Sequence, residues 1–270
     1  MTTRGPVPLG AELTIREAYL PIWREAAWWA DWLQLCGSAV YRGDGLPRGN
    51  GDPVVVVPGF LGTDAYLGEM RNWLARIGYS AHESKVGWNV DCPDEILEKL
   101  IKNVRQIQEQ TGRRLRVVGH SLGGTISRAA AVYEPSLFAQ VITLGAPLRE
   151  ISAHPLVLGI AKLLGELIPS PDGSPRPHSD HIHDYTCSAE LAAALKRSLP
   201  QGVQSTSVYS RTDGIIDWRS CVDQPPGRNI EVDGTHLGLV YNVEVYRAIA
   251  GVLSEDKGVL SEDKGVPSEG

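Results

Sequence analysis

Gly119-His120-Ser121-Leu122-Gly123 sets a serine between two glycines at a spacing that serves nucleophilic catalysis. Residues 115–118 before it, Leu-Arg-Val-Val, end in two β-branched valines, and residues 125–133 after it are mostly small and helix-forming. The predicted context is therefore strand, sharp turn, helix. Such a turn strains the serine backbone and lifts its hydroxyl above the sheet, and Gly119 and Gly123 fall where a Cβ would strike neighbouring backbone. Ser121 is the candidate nucleophile. A serine hydroxyl is weakly nucleophilic near neutral pH, so it needs a base, and the base needs a carboxylate to orient it.

Downstream of a serine in this context the expected chain order is acid, then histidine. Of seven histidines, His236 lies in Val232-Asp233-Gly234-Thr235-His236-Leu237-Gly238, a loop between the last predicted strand and the closing helix. The base is expected there; the alternative is a surface-loop histidine. His120 adjoins the nucleophile and faces away from it, and His82 precedes it. His154, His178, His181 and His183 fall in an irregular, proline-rich stretch. For the acid, Asp213 stands just past a strand end in Tyr209-Ser210-Arg211-Thr212-Asp213-Gly214, where Gly214 is expected to let the chain reverse. Asp217 is the rival, in which case Asp213 caps a turn; Asp223 and Asp233 fit less well. Acyl transfer builds an oxyanion, which needs preset N–H donors. The N–H of Leu122 is one expected donor. The other is Phe60 in Val57-Pro58-Gly59-Phe60-Leu61-Gly62, with Gly59 turning the chain; an ordinary β-turn is the alternative.

The elements that must carry these residues alternate strand and helix. The run 54–57 is continuously apolar, the mark of a parallel strand covered on both faces. Helix is expected over 69–77, strand over 80–85, and a long helix over 93–110 with Asp91 as N-cap and Gly112 as terminator. Strands follow at 115–118, 141–144, 206–209 and 229–232, and a helix at 243–252. The fold class is α/β, with a mostly parallel doubly wound sheet whose active residues cluster beyond the carboxyl ends of its strands.

The chain has 270 residues, 42% hydrophobic and 21% charged, enough for one large domain. Of the net charge of −6, the last 17 residues supply −3, with Glu255, Asp256, Glu262, Asp263 and Glu269 against Lys257 and Lys264. Nothing in this balance points to a nucleic-acid partner. No segment approaches a membrane span, and no basic stretch followed by an apolar core marks a leader, so cytoplasmic residence is the expectation. Cys36, Cys92, Cys187 and Cys221 show no zinc-binding spacing. Free thiols are the default, with a Cys187–Cys221 bridge the alternative in an exported protein. The C-terminus repeats Gly-Val-Leu-Ser-Glu-Asp-Lys from Gly251 and from Gly258, then in degraded form from Gly265. Without an a/d seam this reads as a disordered tail over 251–270.

Val-Pro-Gly-Phe-Leu-Gly, Gly-His-Ser-Leu-Gly-Gly, Leu144-Gly-Ala-Pro147, Tyr-Ser-Arg-Thr-Asp-Gly and Gly-Thr-His-Leu-Gly together resemble the α/β-hydrolases of the lipase and esterase kind, close to bacterial triacylglycerol lipases. The resemblance covers roughly 53–250, within a domain of 51–250. Pro58 stands where such lipases usually carry histidine. The resemblance implies carboxylic ester hydrolysis through Ser121, Asp213 and His236, with Phe60 and Leu122 as the oxyanion hole and no cofactor or metal. It implies an ester or lipid substrate. Acyl transfer on the same residues, or a non-catalytic binding module on this scaffold, are the alternatives. It also implies a cap or lid within about 148–205, around the apolar stretch 156–168; a buried core helix is the alternative there. His178, His181 and His183, with Asp180 and Asp184, suit a structural ion or a solvated loop. Within the N-terminal helical segment 1–50, Trp23, Trp28, Trp29 and Trp32 are expected to be buried, with lipid-interface contact as the sharper alternative.

Overall fold

Four successive valines, Val54 to Val57, carry no polar side-chain atom, so only a strand shielded on both faces satisfies them. The computed structural model describes residues 13–167 and 188–255, and it buries all four completely. They belong to β2 (Pro53–Val57). With β3 (Ser80–Glu83), β4 (Leu115–His120), β5 (Phe138–Leu144), β7 (Gln204–Tyr209) and β8 (Arg228–Glu231) it forms the main sheet. The order is β3-β2-β4-β5-β7-β8 and every neighbouring pair is parallel. A small parallel pair joins β1 (Ile15–Glu17) to β6 (Ile151–Ala153).

Alternation along the strands divides the core in two. Val55, Val57, Val117 and Val141 pack under α4 (Pro93–Thr111), α5 (Leu122–Tyr133) and α7 (Ala189–Leu195). Val54, Val56, Val118, Ile142 and Val208 pack under α2 (Ala39–Arg42), α3 (Gly68–Arg76) and α9 (Val243–Glu255), joined by Leu35 of α1 (Trp28–Gly37). At the sheet's flank, Leu158 of α6 (Pro155–Leu167) packs with Ala153, Tyr209 and Ile216, and with Cys221 of α8 (Trp218–Cys221). From β2 the chain goes outward to β3, then returns across β2 to β4. The crevice at the carboxyl ends of β2 and β4 is thus the topological switch point, where α/β sheets bind ligands.

Several expectations need correction. Asp91 does not cap α4: Cys92 is the N-cap residue, Pro93 starts the helix, and Asp91 pairs instead with Lys99 at 2.7 Å. A proline at the first helical position has no N–H to satisfy, so the side-chain cap is dispensable. The expected tail does not begin at Gly251: α9 runs to Glu255 and buries Val252 and Leu253 in the core. The later copies lie outside the described residues, as do His178, His181, His183 and Cys187. Cys221 is a free, buried thiol, so no Cys187–Cys221 bridge forms, and Cys92 is disulfide-bonded. The stretch 148–205 is not all cap, because α7 buries Leu191, Ala192, Ala194 and Leu195 against α4 and α5. By contrast, none of residues 155–164 in α6 is buried, so the core-helix alternative fails there. The N-terminal tryptophans are not buried either: Trp23 is 75% and Trp29 54% exposed. The helix carrying three of them is only ten residues long; it buries Leu35, and Trp28 reaches the Tyr241 ring with centroids 5.6 Å apart. Among the described residues, no helix is long and apolar enough to cross a membrane.

Candidate active site

Ser121 sits between the last residue of β4 and the first of α5, with φ 52° and ψ −129°. A non-glycine residue at positive φ stores strain of about 1–3 kcal/mol, which the surroundings must hold. They do so by close backbone packing. The Ser121 N–H donates to Leu144 O at 2.8 Å, and the Ser121 carbonyl accepts from Gly124 N–H at 2.8 Å. A Cβ on Gly119 would lie 2.5 Å from the Gly124 Cα, and one on Gly123 would lie 2.5 Å from Val57 O. Strand, helix and the loop after β2 therefore meet closer than any side chain allows. Ser121 as a whole residue is only 8% exposed, as a backbone packed this closely requires.

Gly59 opens the expected turn, its carbonyl accepting from Gly62 N–H at 2.9 Å, and it has a second task. The positive φ in that loop falls on Leu61, at 63°, whereas a Cβ on Gly59 would lie 2.9 Å from the Ser121 Cβ. Its missing side chain lets the loop before Phe60 pack against the serine. The loop is fixed by Leu61 N–H to Asn89 O at 3.0 Å, Asn89 Nδ2 to Pro58 O at 2.7 Å, and Trp88 Nε1 to Leu61 O at 3.0 Å. The N–H groups of Phe60 and Leu122 donate to no acceptor among the described residues. Leu122 also begins α5, where unpaired N–H groups and the helix dipole favour negative charge.

His236 follows β8, in the loop before a 3-10 turn at Gly238–Tyr241. Its Nδ1 lies 2.6 Å from Asp213 Oδ2, and both residues are buried. Oδ1 of Asp213 accepts from Ile215 N–H at 2.8 Å and Ile216 N–H at 2.7 Å, so the carboxylate is held from behind. Burial alone would lower the His236 pKa. The Asp213 charge and hydrogen bond, with Glu25 adding to them, outweigh burial and raise it above the ordinary value. Asp217 is elsewhere: it caps α8, accepts from Arg219 N–H and pairs with the Arg219 guanidinium at 3.2 Å. Asp223 is occupied by Ser205 and Gln224 N–H, and Asp233 offers its carbonyl to Asn242.

Two contributors escaped the sequence reading. His120 packs its ring on that of His236, centroids 4.7 Å apart, and its Nε2 lies 3.0 Å from the His236 carbonyl. Complete burial, and then the neighbouring His236, hold its pKa well below the usual value, so it is neutral and Nε2–H is the donor. Glu25, from a 3-10 turn at Ile22–Ala27, accepts three backbone N–H groups from the loops that carry Asp213 and His236. Local spacing carries no signal for Glu25; for His120, adjacency to Ser121 was the available hint. Among the described residues, no group of His, Cys, Asp and Glu side chains is arranged to hold a metal.

A solved metagenomic carboxyl esterase superposes with a TM-score of 0.60, covering 95% of this chain and 96% of its own at 16% identity. The chain has the α/β-hydrolase fold. A mature Bacillus licheniformis lipase gives a TM-score of 0.56 over 77% of this chain and 94% of its own, at 15% identity. In sequence, residues 82–157 match the PGAP1-like alpha/beta domain family. Triacylglycerol lipases of Pseudarthrobacter phenanthrenivorans and Burkholderia plantarii are each 34% identical over 106 residues, or 36% of this chain. The matched part spans about a third of those relatives' length, 33% and 30% respectively.

Proposed function

We propose that this protein is a serine hydrolase of carboxylic esters, with Ser121 as nucleophile, His236 as base and Asp213 as the orienting acid. The observation that carries the reading is the buried Asp213–His236 pair at the same sheet end as the strained Ser121 elbow. In this reading Ser121 Oγ attacks the acyl carbonyl carbon and its proton passes to His236 Nε2. Asp213 stabilises the resulting imidazolium through Nδ1–H. The oxyanion takes the N–H groups of Phe60 and Leu122. Collapse returns the proton to the leaving alkoxide and leaves an acyl-Ser121 ester, which water cleaves by the same steps. Similarity to lipases and esterases supports ester chemistry.

The raised His236 pKa fixes the sign of the pH response. The base works only when neutral, so kcat/KM for a soluble ester should climb with pH through a midpoint above the ordinary histidine value of about 6.5. A pH–rate profile reads this directly; a limb centred below that value would contradict it.

A lipid–water boundary is the proposed working surface. Tyr19, Trp23, Trp29, Leu33, Leu156 and Leu163 are exposed apolar groups, and tryptophan suits such a boundary. The disulfide at Cys92 favours an oxidising compartment over the cytoplasm. Substrate length is tested with nitrophenyl esters from acetate to palmitate, where preference for the longer chains is expected. Leu156 and Leu163 of α6 are 56% and 53% exposed, so changing both to Asp should leave the melting temperature unchanged. If α6 walls the acyl chain, the pair loses about four methylene contacts at ~0.8 kcal/mol each, about 10²-fold on palmitate and little on acetate. Equal loss on all chain lengths would exclude α6 from the acyl site.

A further inference from the structure

Gly214 follows the acid and Gly238 lies two residues after the base, yet neither has a left-handed backbone. Each makes room for a carboxylate. A Cβ on Gly214 would lie 2.8 Å from Glu25 Oε1 and 2.9 Å from Pro21 O, and one on Gly238 would collide with Asp31 of α1. Glu25 is 6% exposed, and a carboxylate buried that deeply is costly unless hydrogen-bonded. Oε1 accepts the N–H of Gly214 at 2.8 Å and of His236 at 2.9 Å; Oε2 accepts the N–H of Leu237 at 2.8 Å. One side chain thus joins two loops that stand about 190 and 210 residues away from it in the chain.

We propose that Glu25 is a positioning residue of the reaction, a second carboxylate that locks the acid-bearing loop to the base-bearing loop and holds Asp213 against His236. The inference rests on the hydrolase reading above. The backbone of His236 is gripped at both ends, its N–H by Glu25 and its carbonyl by His120, so the imidazole is left only the rotation that Asp213 fixes. The groups facing His236 come from every neighbouring element. They are Asp213 after β7, Glu25 of the 3-10 turn and neutral His120 of β4, with Tyr66 against the His120 ring and Asp31 of α1 beside Gly238. Of the charged groups, Asp213 and Glu25 both favour the imidazolium that forms when the serine proton is taken.

Glu25→Gln keeps an oxygen for Gly214 and His236 but turns an NH2 toward Leu237 N–H and removes the charge. Activity should be normalised to the fraction of Ser121 that a fluorophosphonate titrates. Per titrated site, kcat should fall about 10²-fold, the cost of a small misplacement of catalytic groups. KM for a short ester should change little. The acid limb of kcat/KM should move to lower pH, because a charge that raises the His236 pKa is gone. Glu25→Asp keeps the charge on a stem one methylene shorter, so it should leave the limb near its parent position while kcat stays depressed. A Glu25→Gln protein that melts earlier but keeps its per-site kcat and limb would overturn the proposal, since Glu25 would then serve stability alone. Failure of both variants to fold would do the same. A parent that neither reacts with the probe nor turns over esters would instead defeat the hydrolase reading itself.

Discussion

Replacing Ser121 by Ala is expected to lower kcat for ester hydrolysis by about 10⁶-fold, the scale on which a triad loses its nucleophile. Residual turnover would come from the N–H groups of Phe60 and Leu122 acting on water attack. The fold should survive. Ser121 is held through its backbone, by its N–H on Leu144 O and its carbonyl under Gly124 N–H, and alanine preserves both. The strained φ of 52° costs alanine about as much as serine, because both carry a Cβ and neither is β-branched. Turnover of a nitrophenyl ester beside a melting curve separates the outcomes. Loss of activity with an unchanged transition supports the nucleophile; retained turnover would move it elsewhere.

Asp213→Asn should lower kcat by about 10⁴-fold, and the local hydrogen bonds say why. The N–H groups of Ile215 and Ile216 both point at Oδ1, so an asparagine there must present its oxygen to them. Its NH2 then faces His236 Nδ1 and donates to it. That forces the ring proton onto Nε2, the atom that must accept from the serine. The wrong tautomer disables the base without unfolding the loop. Asp217→Asn is expected to change kcat less than twofold, since asparagine is also a good N-cap and the pair with Arg219 is exposed. Steady-state kinetics on the two variants decides the matter; the reverse ranking would make Asp217 the acid.

The fold was legible from the sequence wherever a signal was local and repeated. The valines of β2, the spacing of Ile96, Leu100, Val104 and Ile107 in α4, and Gly112 as terminator with φ 67° each follow from neighbours in the chain. The serine elbow is the strongest such signal, because its glycines have a steric cause that the packing of β4, α5 and the β2 loop makes explicit. From sequence Asp213 is preferred with Asp217 as rival, since both stand after the same strand. The structure puts Asp213 against His236, its other oxygen held by Ile215 and Ile216 N–H, and Asp217 on α8. What stayed hidden depends on contacts across the chain. Gly59 and Gly214 read as turn residues, but each is also needed for close approach, to Ser121 and to Glu25 respectively. Glu25 carries no local signal, because the N–H groups it accepts stand about 190 and 210 residues further along the chain. The exposure of Trp23 and Trp29 was missed because a cluster of large apolar residues ordinarily reports burial.

Covalent labelling tests the central claim most directly. The intact protein should be treated with a fluorophosphonate and the adduct located by peptide mass. One adduct per chain on Ser121 is predicted, absent from Ser121→Ala and formed far more slowly when His236 is changed to Gln. No adduct on the folded protein, or an adduct on another residue, would contradict the assignment of Ser121 as nucleophile.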